Sequence, residues 1–400
     1  GIFHNARLGG GSSGNLRNPP YITNPVIPNN TMATTFVPGV SLLLAPSTVE
    51  ALETSYSTPS SYNWSVGLRR ELGWGTSMDA TYAGSVGRNL EMYYNLNPVP
   101  DGAKFDPANH DPGSTSPTAV LPDNFLRPYS GYGPIRVRGN SGTSDYNSLQ
   151  VQVNRRYIHG VQFGAAYTLQ RARGLTDEDP GNLSITLNRP QSFFYGELAQ
   201  SDRHSLVVNY TWDISQDRFT ARALHQALDG WQLSGENAFV SGDWAPVVLT
   251  TSDNFDFTGG DGGTGGDLGG GLRIVVPVMT CDPMAKTGSP LTGFFDTSCF
   301  ARPSGRGDYG NAPRNAVRKP GIDNWNLALF KNFQISGRRA FQYRLEAYNV
   351  LNSVQFADID RTARFDPSGA QINTNFGTAI GIASPTRPPR TLQMSLRFNF

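Results

Sequence analysis

The chain has 400 residues, of which 38% are hydrophobic and 16% charged, with 44 glycines, 28 prolines and a formal net charge of +1. A near-neutral charge gives no general attraction to nucleic acid. No run approaches the roughly 20 apolar residues of a membrane-spanning helix; the longest, Val40–Pro46 and Ile274–Met279, are short and contain or border proline or glycine.

Residues 1–61 read as the tail of a strand at Gly1-Ile2-Phe3 followed by a long loop. The opening has neither a basic nor an apolar leader segment, so either an export signal has been removed or the protein stays inside the cell. The first strong signal has period two. Tyr62, Trp64, Val66, Leu68, Arg70 and Leu72 alternate with Asn63, Ser65, Gly67, Arg69 and Glu71, which describes a strand with one greasy and one wet face. Gly73-Trp74-Gly75 turns the chain, and Met78, Ala80 and Tyr82 resume the pattern as a hairpin.

The unit then repeats. Leu149, Val151 and Val153 alternate with Gln150, Gln152 and Asn154, and His159-Gly160 leads into Val161, Phe163, Ala165, Tyr167 and Leu169. Leu206, Val208, Tyr210 and Trp212 form the next greasy face, followed by Trp231, Leu233 and Phe239. Trp325, Leu327, Leu329 and Phe333 precede a turn at Ser336–Arg339, after which come Phe341, Tyr343, Leu345 and Ala347. The last element carries Leu392, Met394, Leu396, Phe398 and Phe400. About nine strands of roughly ten residues result, the length that crosses a bilayer when tilted.

The connections alternate as well. Short turns are expected at 73–75, 158–160 and 335–340, with a longer one at 213–230. Long connections are expected at 86–145, 172–203, 242–322 and 352–389. Short turns at one end and long loops at the other are the layout of an outer-membrane barrel. With the short turns on the periplasmic side, the aromatics sort into two belts. Tyr62, Trp64, Tyr82, Tyr146, Tyr167 and Trp325 fall near the outer rim, and Trp212, Trp231, Phe333, Phe341, Phe398 and Phe400 near the inner one. A soluble β-sandwich explains the alternation equally well, but not the loop asymmetry or the very polar second face.

Few residues suggest chemistry. Cys281 and Cys299 fit a disulfide closing a surface loop, or else two free thiols. They cannot supply a four-ligand zinc site, and the five histidines show no ligand spacing, so no metal site is expected. Gly10-Gly11-Ser12-Ser13-Gly14 matches a nucleophile elbow in letters only, and Gly260–Gly265 a dinucleotide loop in letters only. Asp253–Asp267 is either a Ca²⁺ loop or, more simply, a mobile hydrated one. Arg306-Gly307-Asp308 is a chance tripeptide, and Ala221–Leu228 suits a helical turn or a plain one. Arg69, Glu71, Gln150, Gln152, Asn154, Arg156, Arg344, Glu346 and Arg397 would line a wet lumen.

Several of these strands resemble those of the Oar-like TonB-dependent transporters. The resemblance lies in the runs beginning Tyr62-Asn63-Trp64, Ala80-Thr81-Tyr82, Tyr146-Asn147-Ser148, Gly230-Trp231-Gln232, Asn324-Trp325-Asn326 and Arg344-Leu345-Glu346, and in the closing Arg397-Phe398-Asn399-Phe400. It runs from about residue 62 to the end and consists of strand signatures, so it specifies the barrel and not the cargo. It implies an all-β transmembrane antiparallel barrel, with residues 1–400 as one partial barrel domain lacking the family's plug. It also implies energy-coupled passage of an unidentified ligand, with outer-membrane lipid as surroundings and TonB as partner through the plug region. Phe400 would serve as the C-terminal signal to the barrel-assembly machinery. Neither catalytic residue nor cofactor is expected. Specificity would lie in the extracellular loops, with Phe105, Phe125, Tyr129 and Tyr132 as candidate ligand contacts. The other readings are a passive porin or surface adhesin, and a secreted carbohydrate-binding sandwich.

Overall fold

The computed structural model describes residues 49–55, 57–116, 118–129, 132–175, 184–199, 201–214, 229–265, 274–285, 293–336, 339–383 and 387–399. Gly1–Phe3, Gly10–Gly14, Val40–Pro46, Ala221–Leu228, Asp267 and Phe400 lie outside them.

One sheet organises the chain, and its backbone is a nine-strand antiparallel meander in sequence order. The strands are β1 (Ser60–Gly73), β2 (Thr76–Asn95), β3 (Ile135–Ile158), β4 (Val161–Leu175), β5 (His204–Asp213), β6 (Trp231–Val240), β7 (Ile322–Ser336), β8 (Arg339–Tyr348) and β9 (Thr391–Asn399). Among the described residues the sheet does not close, so β1 and β9 are its edges. The tight turns are made by residues that tolerate positive φ. His159 and Gly160 both adopt it (52° and 78°), the two-residue geometry whose twist matches the flanking strands.

The register fixes which side chains share a face. Val66 lies opposite Tyr82, Tyr82 opposite Leu149, and Leu149 opposite Leu169. Farther along, Leu206 meets Phe239, Trp212 meets Leu233, and Leu345 meets both Leu329 and Met394. The greasy positions therefore form one continuous surface, and it is bare: Val66 is 72% exposed, Leu68 68% and Met394 66%. A sandwich would cover this face with a second sheet. The other sheets here are two-stranded ribbons within the connections, so the sandwich reading is set aside.

Two expectations need correction. β2 and β3 run to 20 and 24 residues, about twice what a tilted bilayer crossing needs. The first long connection is thus 96–134 rather than 86–145. Val49–Leu52 and Ser184–Thr186 pair in parallel with the far ends of β3 and β2, which supplies hydrogen bonds to a hairpin extending beyond the sheet. The second correction is Tyr146, which does not belong to the outer belt. Opposite Ser85 and Ala172, it shares the wet face with Gln170 and donates to Gln170 Oε1 at 2.8 Å. It sits an odd number of positions from Leu149, and in a strand that alone reverses the face.

A small buried cluster of Met92, Leu175 and Phe194 sits at the far ends of β2 and β4, but most of the described core lies outside the sheet. The largest cluster lies in the connections 241–321 and 349–390, and includes Leu249, Phe257, Val275, Phe300, Val317, Ile359 and Phe365. Rings of Phe295, Phe300 and Phe376 meet edge to face at 5.2–5.9 Å. The two connections are knitted by a parallel pairing of Val248–Thr251 with Thr362–Phe365. Cys281 and Cys299 form a disulfide within this body, with Cα atoms 5.0 Å apart.

Candidate functional site

The wet face of β4 to β9 is built from rows that cross the strands. In one row Asn209 lies opposite Glu236, Glu236 opposite Asn326, and Tyr348 opposite Thr391. In the next, Gln162 meets Thr211, Thr211 meets Ser234, and Ala328 lies between Ser234 and Glu346. Thr211 and Ser234 satisfy one another at 3.2 Å. These rows line a cavity of about 480 Å³. A second cavity of similar volume adjoins it toward the long-connection end, lined by Asn324, Asn349, Gln355, Arg387 and Thr391 among others. Asn326 and Tyr348 line both.

Arg69 approaches Asp79 on this same face, at 3.7 Å, and Arg344 stacks over the Phe330 ring at 4.6 Å. Phe330 is a buried apolar residue on an otherwise polar surface, and the Arg344 guanidinium is what covers it.

Above the sheet, three buried side chains hold the long connections together. Asn97 is fully buried; its amide donates to the carbonyls of Tyr129, Tyr132 and Gly133, and its Oδ1 accepts from the Tyr129 N–H at 2.8 Å. Arg127 donates to the Asn97 carbonyl and pairs with Asp261 at 3.2 Å, joining 96–134 to 241–321. Arg189 pairs with Asp101, donates to the Ile274 carbonyl at 3.1 Å and lies over the Tyr309 ring at 4.1 Å. All three sit in stretches without periodicity. Each directly precedes a proline (Pro98, Pro128 and Pro190), which marks extended backbone but does not name the partner.

The candidate loop contacts are distributed unevenly. Phe125, Tyr129 and Tyr132 are 63%, 50% and 46% exposed, on the segment that Asn97 fixes. Phe105 is instead half-buried, with Arg306 over its ring at 4.1 Å. Arg306 and Gly307 of the tripeptide stay exposed, while the half-buried Asp308 accepts from Ser304 and Gly310.

Nor is Asp253–Gly265 a hydrated tether, because Phe257 within it is fully buried. Its carboxylates have separate employments. Asp253 pairs with Arg302 at 2.8 Å, and that guanidinium holds its carboxyl below the usual range. Asp256 caps its own turn through Thr258 and Gly259, and Asp261 binds Arg127. Among the described residues no three His, Cys, Asp or Glu side chains converge to hold a metal ion.

A bare lipophilic face, a wet face lined with cavities and the four longest connections gathered at one end describe the wall of a membrane barrel. Residues 1–393 match the family model described as "Outer membrane beta barrel domain". The chain belongs to that family. The barrel therefore resides in the Gram-negative outer membrane, and its bare face meets lipid. No curated protein matches the chain by sequence. Among solved structures it is similar to the outer membrane transporter YddB from Escherichia coli, with 10% identity, a TM-score of 0.38, and coverage of 89% of this chain and 35% of that one. It is also similar to BauA, the ferric preacinetobactin receptor from Acinetobacter baumannii (11%, TM-score 0.35, 85% and 29%). A third is the ferripyoverdine receptor of the outer membrane of Pseudomonas aeruginosa (11%, TM-score 0.35, 86% and 27%). The barrel domain thus spans about a third of the length of these structures.

Proposed function

We infer that the chain is part of a TonB-dependent transporter of the Oar-like kind, which carries a bound ligand across the outer membrane using energy relayed from the inner membrane. The observation that carries this is the pairing of a cavity-lined wet face with a folded extracellular body. A passive pore needs only an open lumen, whereas selective uptake needs a rigid surface that captures ligand above the passage. Phe125, Tyr129 and Tyr132 are the candidate contacts on that surface. The reading assigns the chain no bond-making step.

The open edges β1 and β9 bear on organisation. In lipid an unpaired strand edge leaves backbone groups without partners, at several kcal/mol each, so they require further strands. In this reading the sheet is one part of a larger barrel domain, TonB engages a plug region, and Phe400, outside the described residues, is the signal to the assembly machinery. The test is ligand uptake by cells carrying the full-length protein, with and without TonB. Loss of uptake without TonB supports the reading. Undiminished uptake would assign the barrel to passive diffusion.

A further inference from the structure

The paired cavities on the wet face have a chemistry narrow enough to name a ligand class. The lower one is lined by the neutral hydrogen-bonding side chains of Gln162, Asn209, Thr211, Ser234, Asn326 and Tyr348, by Glu236 and Glu346, and by apolar surface that includes Leu327 and Ala328. Among the described residues no lysine or arginine lines it. The upper one is mostly apolar, with Ala238, Ile322 and Pro388 in its lining beside Asn324, Asn349, Gln355 and Thr391, and among the described residues its one charged group is Arg387.

Much of this polar capacity is idle. Among the described residues, Glu236, Glu346 and the Tyr348 hydroxyl have no ion-pair or hydrogen-bond partner. Asn326 uses its Oδ1 to accept from the Asn349 N–H at 3.0 Å and from Asn324 at 3.3 Å, which leaves its NH₂ group to the cavity. Elsewhere the structure pairs such groups readily, as at Arg138 with Glu91 or Gln232 with Asp213. Each is an open cleft whose volume is in the range of small-ligand sites.

We propose that the adjoining cavities are a subsite for a neutral, hydroxyl-rich solute of the oligosaccharide class, with Asn326 and Tyr348 as the contacts shared between its two halves. Sugar hydroxyls donate and accept at once, which suits a lining of amides, hydroxyls and carboxylates whose donors and acceptors are mixed. In the lower cavity an anionic ligand would instead meet the carboxylates of Glu236 and Glu346, with Arg387 only in the adjoining upper one, and like charges repel within such a site. The exposed rings of Phe125, Tyr129 and Tyr132 offer a second element of the same chemistry, since the negative face of an aromatic ring attracts the C–H face of a sugar. The subsite rests on the transporter reading above.

The test uses the full-length protein purified in detergent, with its barrel confirmed by heat-modifiable gel mobility. Equilibrium binding is measured for neutral malto-, cello- and manno-oligosaccharides and for an oligogalacturonate of equal length. A neutral oligosaccharide is expected to bind at least about tenfold tighter than the anionic one. Asn326→Leu and Tyr348→Phe are each expected to weaken it by about tenfold, the loss of one hydrogen bond to a bound ligand. Glu236→Gln is expected to narrow the gap to the anionic sugar without abolishing neutral binding. The proposal is overturned if a folded barrel binds none of the neutral sugars, prefers the anionic one, or binds them equally in both Asn326→Leu and Tyr348→Phe. TonB-dependent uptake of some other ligand alongside such a result would sink the subsite alone. Sugar binding without TonB dependence would sink the transporter reading alone.

Discussion

Just before β5 and beside Asp243 of the largest connection, Asp202 shows how one side chain can set a pH response. Burial, then a hydrogen bond and like charge from Asp243, raise its pKa to about 6 from an ordinary 3.8, while Arg318 and Arg387 pull the other way. Because the folded value is the higher one, the stabilisation is complete below 3.8 and fades as pH rises through about 6. Proteolysis in the 199–203 and 241–245 segments is expected to quicken several-fold between about pH 5 and 7.5. Asp202→Asn keeps a hydrogen-bond donor without titrating, so its cleavage rate should stay flat over that range. Asn97 is the other decisive residue. Asn97→Leu strips donors from three carbonyls and is expected to cost the 96–134 connection about 3 kcal/mol, read as faster amide exchange at Tyr129 and Tyr132. Neither role was legible in the sequence, because each depends on partners that lie far along the chain or in another connection.

Among the elements, the strands and the connections obey different rules. A strand residue's surroundings follow from its parity. Leu345 faces lipid and Glu346 the lumen, so Leu345→Arg should destabilise the barrel by about 2–4 kcal/mol in urea titrations with lipid vesicles. Glu346→Arg, one residue on, should change it by less than about 1 kcal/mol. Tyr146 shows how a parity slip misassigns a residue: placed by its aromatic character among the lipid-facing belt, it faces Gln170 on the wet side. The inner belt, by contrast, is continuous, with Phe333 opposite Phe341 and the rings of Phe341 and Phe398 4.9 Å apart. In the connections burial follows no period. Phe257 sits among aspartates and glycines yet is fully buried. Phe257→Ala should cost the extracellular body about 3–5 kcal/mol, seen as a lowered unfolding midpoint for that body.

The whole molecule inverts the usual arrangement. Its sheet shows apolar side chains to lipid, and its largest described apolar core lies in the extracellular body. The two parts therefore draw stability from different sources and should fail separately. Replacing both Cys281 and Cys299 by Ser reopens a loop of sequence separation 18, worth about 3 kcal/mol by loop entropy. The expected outcome is protease-sensitive connections on a barrel that keeps its heat-modifiable mobility. Loss of that mobility would show that the body props up the sheet.

The sequence by itself determined the strands, their order and their greasy faces, because alternation is local and a barrel strand meets only its two neighbours and the solvent on each side. Tyr62 through Leu72 could be read without knowing what they touch. Tertiary structure decided how far β2 and β3 reach, that the connections fold around Phe257, Phe300 and Phe365, and that Asp253, Asp256 and Asp261 serve separate partners. Those outcomes depend on contacts between residues far apart in sequence, such as Arg127 with Asp261 and Asp101 with Arg189, and no local period records such pairs.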